Sequence, residues 1–275
     1  MSVLEVRELT VRDAAGTALV QDLTFGVDSG ERVGLIGESG SGKSMTALAV
    51  LGLLPEGLTA TGSVRLRGGT DDGTEMVGSR ESGRVAVRGR DIAVVFQEPL
   101  TALDPLMRLG RQLAEPLERR ARATGGRLRG AELRAAVQRA MAEVSLPEPD
   151  RIAHAYPHQV SGGQRQRVAI AMALACEPAL LIVDEPTTAL DVTVQAEILK
   201  LLDHLVTARG MSLLFISHDL AVIAGVCERV VVLKDGVAIE QAEVADLVAA
   251  PVHPYTRELV ASAWALDDAL RQVGR

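Results

Sequence analysis

The sequence predicts an α/β protein with a mainly parallel sheet, an antiparallel β part and a helical insert. Three observations carry that reading. The first thirty or so residues alternate apolar and polar side chains at period two, as strands with one solvated face do. From Leu180 onward, short apolar runs alternate with helical stretches, the pattern of parallel strands covered on both faces. Between them, residues 109–149 shift to Ala, Leu, Arg and Glu at helical spacing.

Residues 4–11 and 19–27 read as strands, and Asp28-Ser29-Gly30 as a turn. Val33 to Ile36 is a short apolar strand running into a glycine-rich loop, and residues 43–52 read as the helix after it. Residues 67–90 are rich in Gly, Asp, Ser and Arg and poor in apolar side chains, so they read as an irregular surface excursion. Residues 92–96 form the next strand. The helical stretch 109–149 is broken at Gly125-Gly126 and closed by Pro147 and Pro149. Strands are expected at 180–183 and 213–216, and helices at 192–208 and 219–226. Asp235-Gly236 joins 230–233 and 237–240 into a hairpin.

The chain has 275 residues, a formal charge of −7 and two cysteines, Cys176 and Cys227. The acidic balance argues against a general nucleic-acid binder, which presents a basic face. Two distant cysteines in apolar surroundings make neither a disulfide framework nor a zinc site and suit a reducing cytosol. Glu5, Arg7 and Glu8 interrupt any secretory signal. The most apolar stretch, 168–183, is cut by Glu177 and Pro178, short of the roughly 20 apolar residues a membrane span needs. A membrane role therefore has to come through a partner.

Residues 37–44, G-E-S-G-S-G-K-S, match G-x-x-x-x-G-K-[ST] between a strand and a helix. Gly37, Gly40 and Gly42 let the backbone wrap phosphates. Lys43 brings a positive charge to them, and Ser44 offers a hydroxyl to Mg²⁺. Glu38, Ser39, Ser41 and Met45 complete the stretch expected around the nucleotide. L180-L-I-V-D184-E185 is a buried-strand pattern ending in two acids. Asp184 can hold Mg²⁺ through water, and Glu185 can orient or deprotonate the attacking water. V160-S-G-G-Q-R-Q-R opens a helix, where free N–H groups and the helix dipole favour an anion. Taken alone, Gly162-Gly163 equally well just starts a helix.

These motifs together resemble the ATP-binding subunit of an ABC transporter. The set is the phosphate loop, F96-Q97, S161-G-G-Q164, L181-I-V-D-E185, A189-L-D191 and S217-H-D219, in the family's order and over roughly residues 3–260. The resemblance implies a P-loop NTPase core (1–97 and 161–250), a helical subdomain (98–160) and a C-terminal tail (251–275). It also implies ATP and Mg²⁺ as cofactors. Two such subunits pair head to tail, and ATP lies between the glycine loop of one and Ser161, Gly162, Gly163 and Gln164 of the other. Gln97 corresponds to the glutamine that senses the γ-phosphate and Mg²⁺, His218 to the switch histidine, and Asp191 to the residue that couples the two sites. Catalysis then falls to Glu185 with Gln97 and His218, and metal binding to Ser44, Gln97 and Asp184.

R88-G-R-D-I-A-V-V-F-Q-E-P-L-T-A-L-D-P105, Y156-P-H-Q-V-S-G-G-Q-R-Q-R167 and H253-P-Y-T256 resemble the peptide and nickel importer branch. That branch implies a second homologous ATPase chain, two transmembrane permease subunits, an extracytoplasmic substrate-binding protein acting indirectly, and a place on the cytoplasmic face of the membrane. Peptides, nickel and metal chelates all remain open as cargo. An exporter motor is disfavoured by H-P-Y-T. A soluble ATPase acting on DNA or ribosomes is disfavoured by the lack of a tandem cassette, a coiled coil or zinc cysteines. No cysteine follows Cys227, so no iron–sulfur cluster is expected. The family also places an aromatic near the end of the first strand to stack on adenine. Here Arg12 and Asp13 stand there, and Arg12 either lies on the base or points to solvent.

Overall fold

A computed structural model describes residues 1–68, 73–98, 102–186 and 191–273, without the side chains of Val192 and residues 264–273. Ala189 and Leu190 of the A-L-D motif and residues 99–101 lie outside the described residues. The chain divides into two compact units, Met1–Val85 with Ser212–Arg275, and Ala86–Met211.

In the first unit, β1 (Ser2–Arg12) is the middle of an antiparallel sheet between β2 (Ala18–Asp28) and β4 (Thr59–Leu66), with β5 (Thr74–Glu75) beside β4. The period-two pattern buries Leu4, Val6, Leu9 and Val11. Leu9 keeps its inward face because the register shifts between Val6 and Leu9, where Glu8 adopts φ 49°. The second sheet of this unit is centred on β3 (Arg32–Ile36), which pairs in parallel with β8 (Ser212–Ser217) and β9 (Arg229–Lys234). β10 (Val237–Glu243) returns antiparallel to β9 through Asp235 and Gly236, both at positive φ as the predicted tight hairpin requires. β8 is buried along its whole length, which is why it reads as an unbroken apolar run. Helices α1 (Lys43–Leu51), α8 (Leu220–Val226), α9 (Val244–Ala249) and α10 (Pro254–Val273) belong to this unit.

The second unit holds β6 (Ile92–Val95) and β7 (Leu180–Asp184), paired in parallel from Ile92↔Leu180 to Val95↔Val183. Its helices are α3 (Leu109–Ala123), α4 (Gly130–Glu143), α5 (Pro149–His154), α6 (Gly162–Leu174) and α7 (Val192–Arg209). Leu109, Leu113, Met141 and Ile152 are fully buried and give the helical part its own core. Arg167 donates to the Val144 carbonyl (3.0 Å) and pairs with Glu197 (2.9 Å), fastening α6 to the end of α4 and to α7.

Two expectations change, and two features go beyond the sequence reading. Residues 73–90 are not irregular. They carry β5 and α2 (Glu81–Val87), with Met76 and Val87 buried. The stretch is held by polar bonds rather than apolar periodicity: the Glu75 carboxylate accepts the amides of Val64 (2.8 Å) and Val77 (3.1 Å) and the hydroxyl of Ser63 (2.5 Å). The predicted excursion also covers 69–72, which lie outside the described residues. β4 has no counterpart in the sequence reading, because T-A-T-G-S-V-R-L buries only Val64 and Leu66. Pro149 starts a helix instead of ending one, since its fixed φ suits the first helical position. The stretch after residue 251 is largely the helix α10.

Candidate active site

The phosphate loop leaves β3 and enters α1, the nine-residue helix capped by Gly42 at φ 100°. That backbone conformation favours glycine. At Gly37 the constraint is space: a Cβ there would lie 2.2 Å from the Leu233 carbonyl oxygen. The loop is braced by β9 at Leu233 and by the β9–β10 turn, where the Gly236 amide donates to the Ser41 carbonyl (3.2 Å). Lys43 is only 5% exposed. Its ammonium donates to the carbonyls of Gly37 (2.7 Å) and Glu38 (2.8 Å), with the Ser41 hydroxyl at 3.4 Å. Glu38, Ser39, Gly40 and Ser44 are exposed and Met45 half-buried, so part of the loop is open to solvent beside a held lysine.

Also in this unit, β8 ends at Ser217 and displays His218 at the surface. The turn there is locked: Ser217 Oγ accepts the Asp219 amide (2.9 Å), and the Asp219 carboxylate caps α8 through the Ala221 amide (2.8 Å). Arg12 is exposed and donates to the Gly16 carbonyl (2.9 Å). The Asp13 carboxylate accepts the amides of Ala15 (2.9 Å) and Thr17 (2.8 Å) and so builds the β1–β2 turn.

In the second unit, β7 ends on Asp184, 9% exposed, and the next residue, Glu185, turns at φ 43°. A non-glycine residue in the left-handed region costs of order 1–3 kcal/mol and persists where surroundings over-determine it. The parallel register explains what Glu185 meets. Val95 faces Val183, so Gln97 and Glu185, each two residues farther on, come out level. Gln97 Nε2 lies 3.4 Å from Glu185 Oε2. The structure thus brings together a glutamine and a glutamate 88 residues apart.

Ser161 caps α6 in a reciprocal capping box: its hydroxyl accepts the Gln164 amide (3.2 Å), and Gln164 Oε1 accepts the Ser161 amide (3.0 Å). Ser161 itself is exposed. Gly163 is tight, since a Cβ would fall 2.8 Å from Val194 Cγ1. Val194 in turn donates its amide to the Asp191 carboxylate (3.0 Å), which caps α7. Gly163 and Asp191 are therefore linked through one valine, a juxtaposition that local sequence does not reveal.

The cysteines play no part in these constellations. Burial pushes the Cys227 thiol up to about 12, and burial also raises that of Cys176. Among the described residues no group of three or more His, Cys, Asp or Glu can hold a metal ion. No helix among them is long and apolar enough to cross a membrane.

The family model for ABC transporters matches residues 20–188, more than half of the chain. This chain belongs to the ABC transporter family. Within the family it is similar to the glutathione import ATP-binding protein GsiA of Pectobacterium atrosepticum, 44% identical over 96% of this chain and 42% of that protein. It is equally similar to a probable peptide ABC transporter ATP-binding protein, y4tR, of Sinorhizobium fredii, 44% identical over 94% of this chain and 76% of the relative. The chain thus spans less than half of the first relative's length and three quarters of the second's. Among solved structures it resembles a dimeric post-hydrolysis state of the ATP-binding cassette MJ0796 bound to ADP and Pi, with TM-score 0.75 and 29% identity, covering 88% of this chain and 98% of that one. It also resembles cbiO1 of Clostridium perfringens, part of the cbiONQ transporter complex, with TM-score 0.73 and 28% identity, covering 90% and 91%. The expected α/β fold of an ATP-binding cassette is borne out by these structures.

Proposed function

We propose that this chain is the ATP-hydrolysing motor subunit of an import complex whose cargo is a peptide. The peptide reading rests on the 44% identity, over 76% of its length, to the probable peptide ABC transporter ATP-binding protein, and the import reading on the glutathione import relative. The glutathione import relative names a peptide cargo too, which favours peptides over nickel.

The residues then take these roles. The phosphate loop and Lys43 hold the triphosphate, and Ser44 offers a hydroxyl to Mg²⁺. Asp184 and Gln97 offer it oxygens, and Glu185, oriented by Gln97, takes the proton of the attacking water. The donors are a hydroxyl, a carboxylate and an amide. Hard oxygen ligands of that kind suit Mg²⁺, which keeps several waters and arrives with the phosphates rather than in an all-protein cage. That fits the lack of a three-residue metal cluster among the described residues. Bound Mg²⁺ would neutralise charge on the phosphates. Ser161 to Gln164 present a helix N-terminus with no lysine, suited to close over the γ-phosphate held by a second ATPase chain. Two permease subunits would receive the motion at the cytoplasmic face, and a substrate-binding protein would act indirectly.

The test is Glu185→Gln in cells that depend on the transporter. ATP binding should stay within about twofold. Hydrolysis and peptide uptake should fall by at least about 10²-fold, the usual weight of a general base. Near-normal hydrolysis would remove Glu185 from the chemistry, and nickel uptake lost in place of peptide uptake would overturn the cargo.

A further inference from the structure

H253-P-Y-T256 marks the importer branch in the sequence but has no part in the chemistry above. In the structure it is a built turn. The Glu240 carboxylate accepts the amides of Val252 (2.9 Å) and His253 (2.9 Å), and His253 Nδ1 accepts the Tyr255 amide (3.2 Å). Pro254 begins α10, and Thr256 is fully buried. This holds the Tyr255 ring in place, 4% exposed and with Lys234 Nζ 4.8 Å from its centre. The phenol oxygen accepts the Glu38 amide at 2.9 Å, across 217 residues of sequence.

The bonded amide belongs to the Gly37–Glu38 peptide, the first of the phosphate loop. The carbonyl at the other end of that peptide, Gly37 O, accepts Lys43 Nζ at 2.7 Å. A peptide unit is planar, so fixing both its polar ends fixes its orientation. Were it to rotate, Lys43 would lose a carbonyl partner and the loop would enter α1 differently. A phenylalanine would fill the same space and keep the cation over the ring but remove the oxygen to which the amide donates. The hydroxyl is thus the functional part of the tyrosine.

We propose that Tyr255 is a positioning residue for the ATP site: it clamps the Gly37–Glu38 peptide so that Lys43 and the loop amides are pre-set for the triphosphate. The proposal rests on the reading that residues 37–44 hold the phosphates of ATP.

The experiment compares Tyr255→Phe, Lys43→Ala and the unmodified full-length chain, by ATP titration at a temperature where all are folded. Amide hydrogen exchange is followed at Glu38 in the nucleotide-free proteins. Tyr255→Phe should bind ATP about five- to tenfold more weakly, the weight of one hydrogen bond, and Glu38 should lose its protection while β3 and β8 keep theirs. Wild-type ATP affinity in Tyr255→Phe beside a crippled Lys43→Ala overturns the proposal and leaves the loop's role standing. Wild-type affinity in Lys43→Ala overturns the loop's role and the proposal with it. A Glu38 amide that exchanges freely in the unmodified chain also overturns it, without any variant.

Discussion

The loops at 37–44 and 161–164 are both glycine-rich turns that open a helix, yet they are built in opposite ways. The first is held from outside. Leu233, Gly236 and Tyr255 all press on it or bond to it, and the lysine it contains is bent onto its own carbonyls. The second is held from within, by a serine and a glutamine that cap each other three residues apart. A loop that must keep a concave backbone against several phosphate charges needs bracing it cannot supply itself. A helix N-terminus that adds one more contact to an anion needs only its own cap. The contrast supports the proposed arrangement, a nucleotide held by one chain and closed over by another.

The strongest way to break this comparison is Ser161→Arg. If the second loop serves only a partner's nucleotide, the variant's own ATP affinity should stay unchanged in titration of the isolated chain. Hydrolysis in the assembled transporter should drop to background, because the guanidinium fills the γ-phosphate position. Loss of ATP affinity by the isolated variant would show the two loops acting on the same nucleotide.

A smaller effect comes from adding one methyl to each loop. Gly37→Ala puts carbon against a backbone carbonyl at 2.2 Å, which no rotamer change relieves. Nucleotide binding should be lost and thermal unfolding should come earlier by the equivalent of about 2–3 kcal/mol, in the overpacking range. Gly163→Ala meets the Val194 side chain at 2.8 Å rather than backbone, and a shift of a few tenths of an ångström between helices relieves it, so its cost should be about 1 kcal/mol with ATP affinity intact. Equal losses from the two substitutions in calorimetry would erase the distinction between outer and inner bracing.

The smallest effect is one of pH. The turn that carries Tyr255 is anchored on Glu240. Burial pushes that carboxyl up, but the amides of Val252 and His253, which donate to it, and the neighbouring Thr256 hydroxyl outweigh burial and hold the value below the ordinary 4.5. A depressed folded value means the anchor contributes fully above the unfolded value and is lost as pH falls through the folded one. The cap on 161–164 contains no titrating group. Between about pH 6 and about pH 3, melting of the wild type should therefore approach that of Glu240→Gln, the two converging at the acid end. Parallel curves throughout would show that the anchor carries no linked stability.

How much of this was legible beforehand depended on whether the information was local. The helix at 81–87 escaped notice because its segment is pinned by Glu75 rather than by an apolar face. β4 escaped because a strand of mostly exposed Thr, Ser and Gly looks like a loop until β1 lies beside it. The sequence reading left Arg12 and Asp13 open at the expected adenine position, and only the structure shows the Asp13 carboxylate occupied in closing the β1–β2 turn.

The sequence by itself determined the phosphate loop with its strand and helix, the two acids closing an apolar strand and the helix start at S161-G-G-Q164. Each is written within a stretch of about twenty residues or fewer, where backbone geometry and hydrogen-bond reach leave few choices. Tertiary structure alone decided that Gln97 meets Glu185, that Gly163 and Asp191 share Val194, and that Tyr255 holds Glu38. The first pairing follows from strand register, the second from the approach of two helices, and the third from the docking of α10. Register and docking are set by how whole faces pack, and no short stretch of sequence carries them.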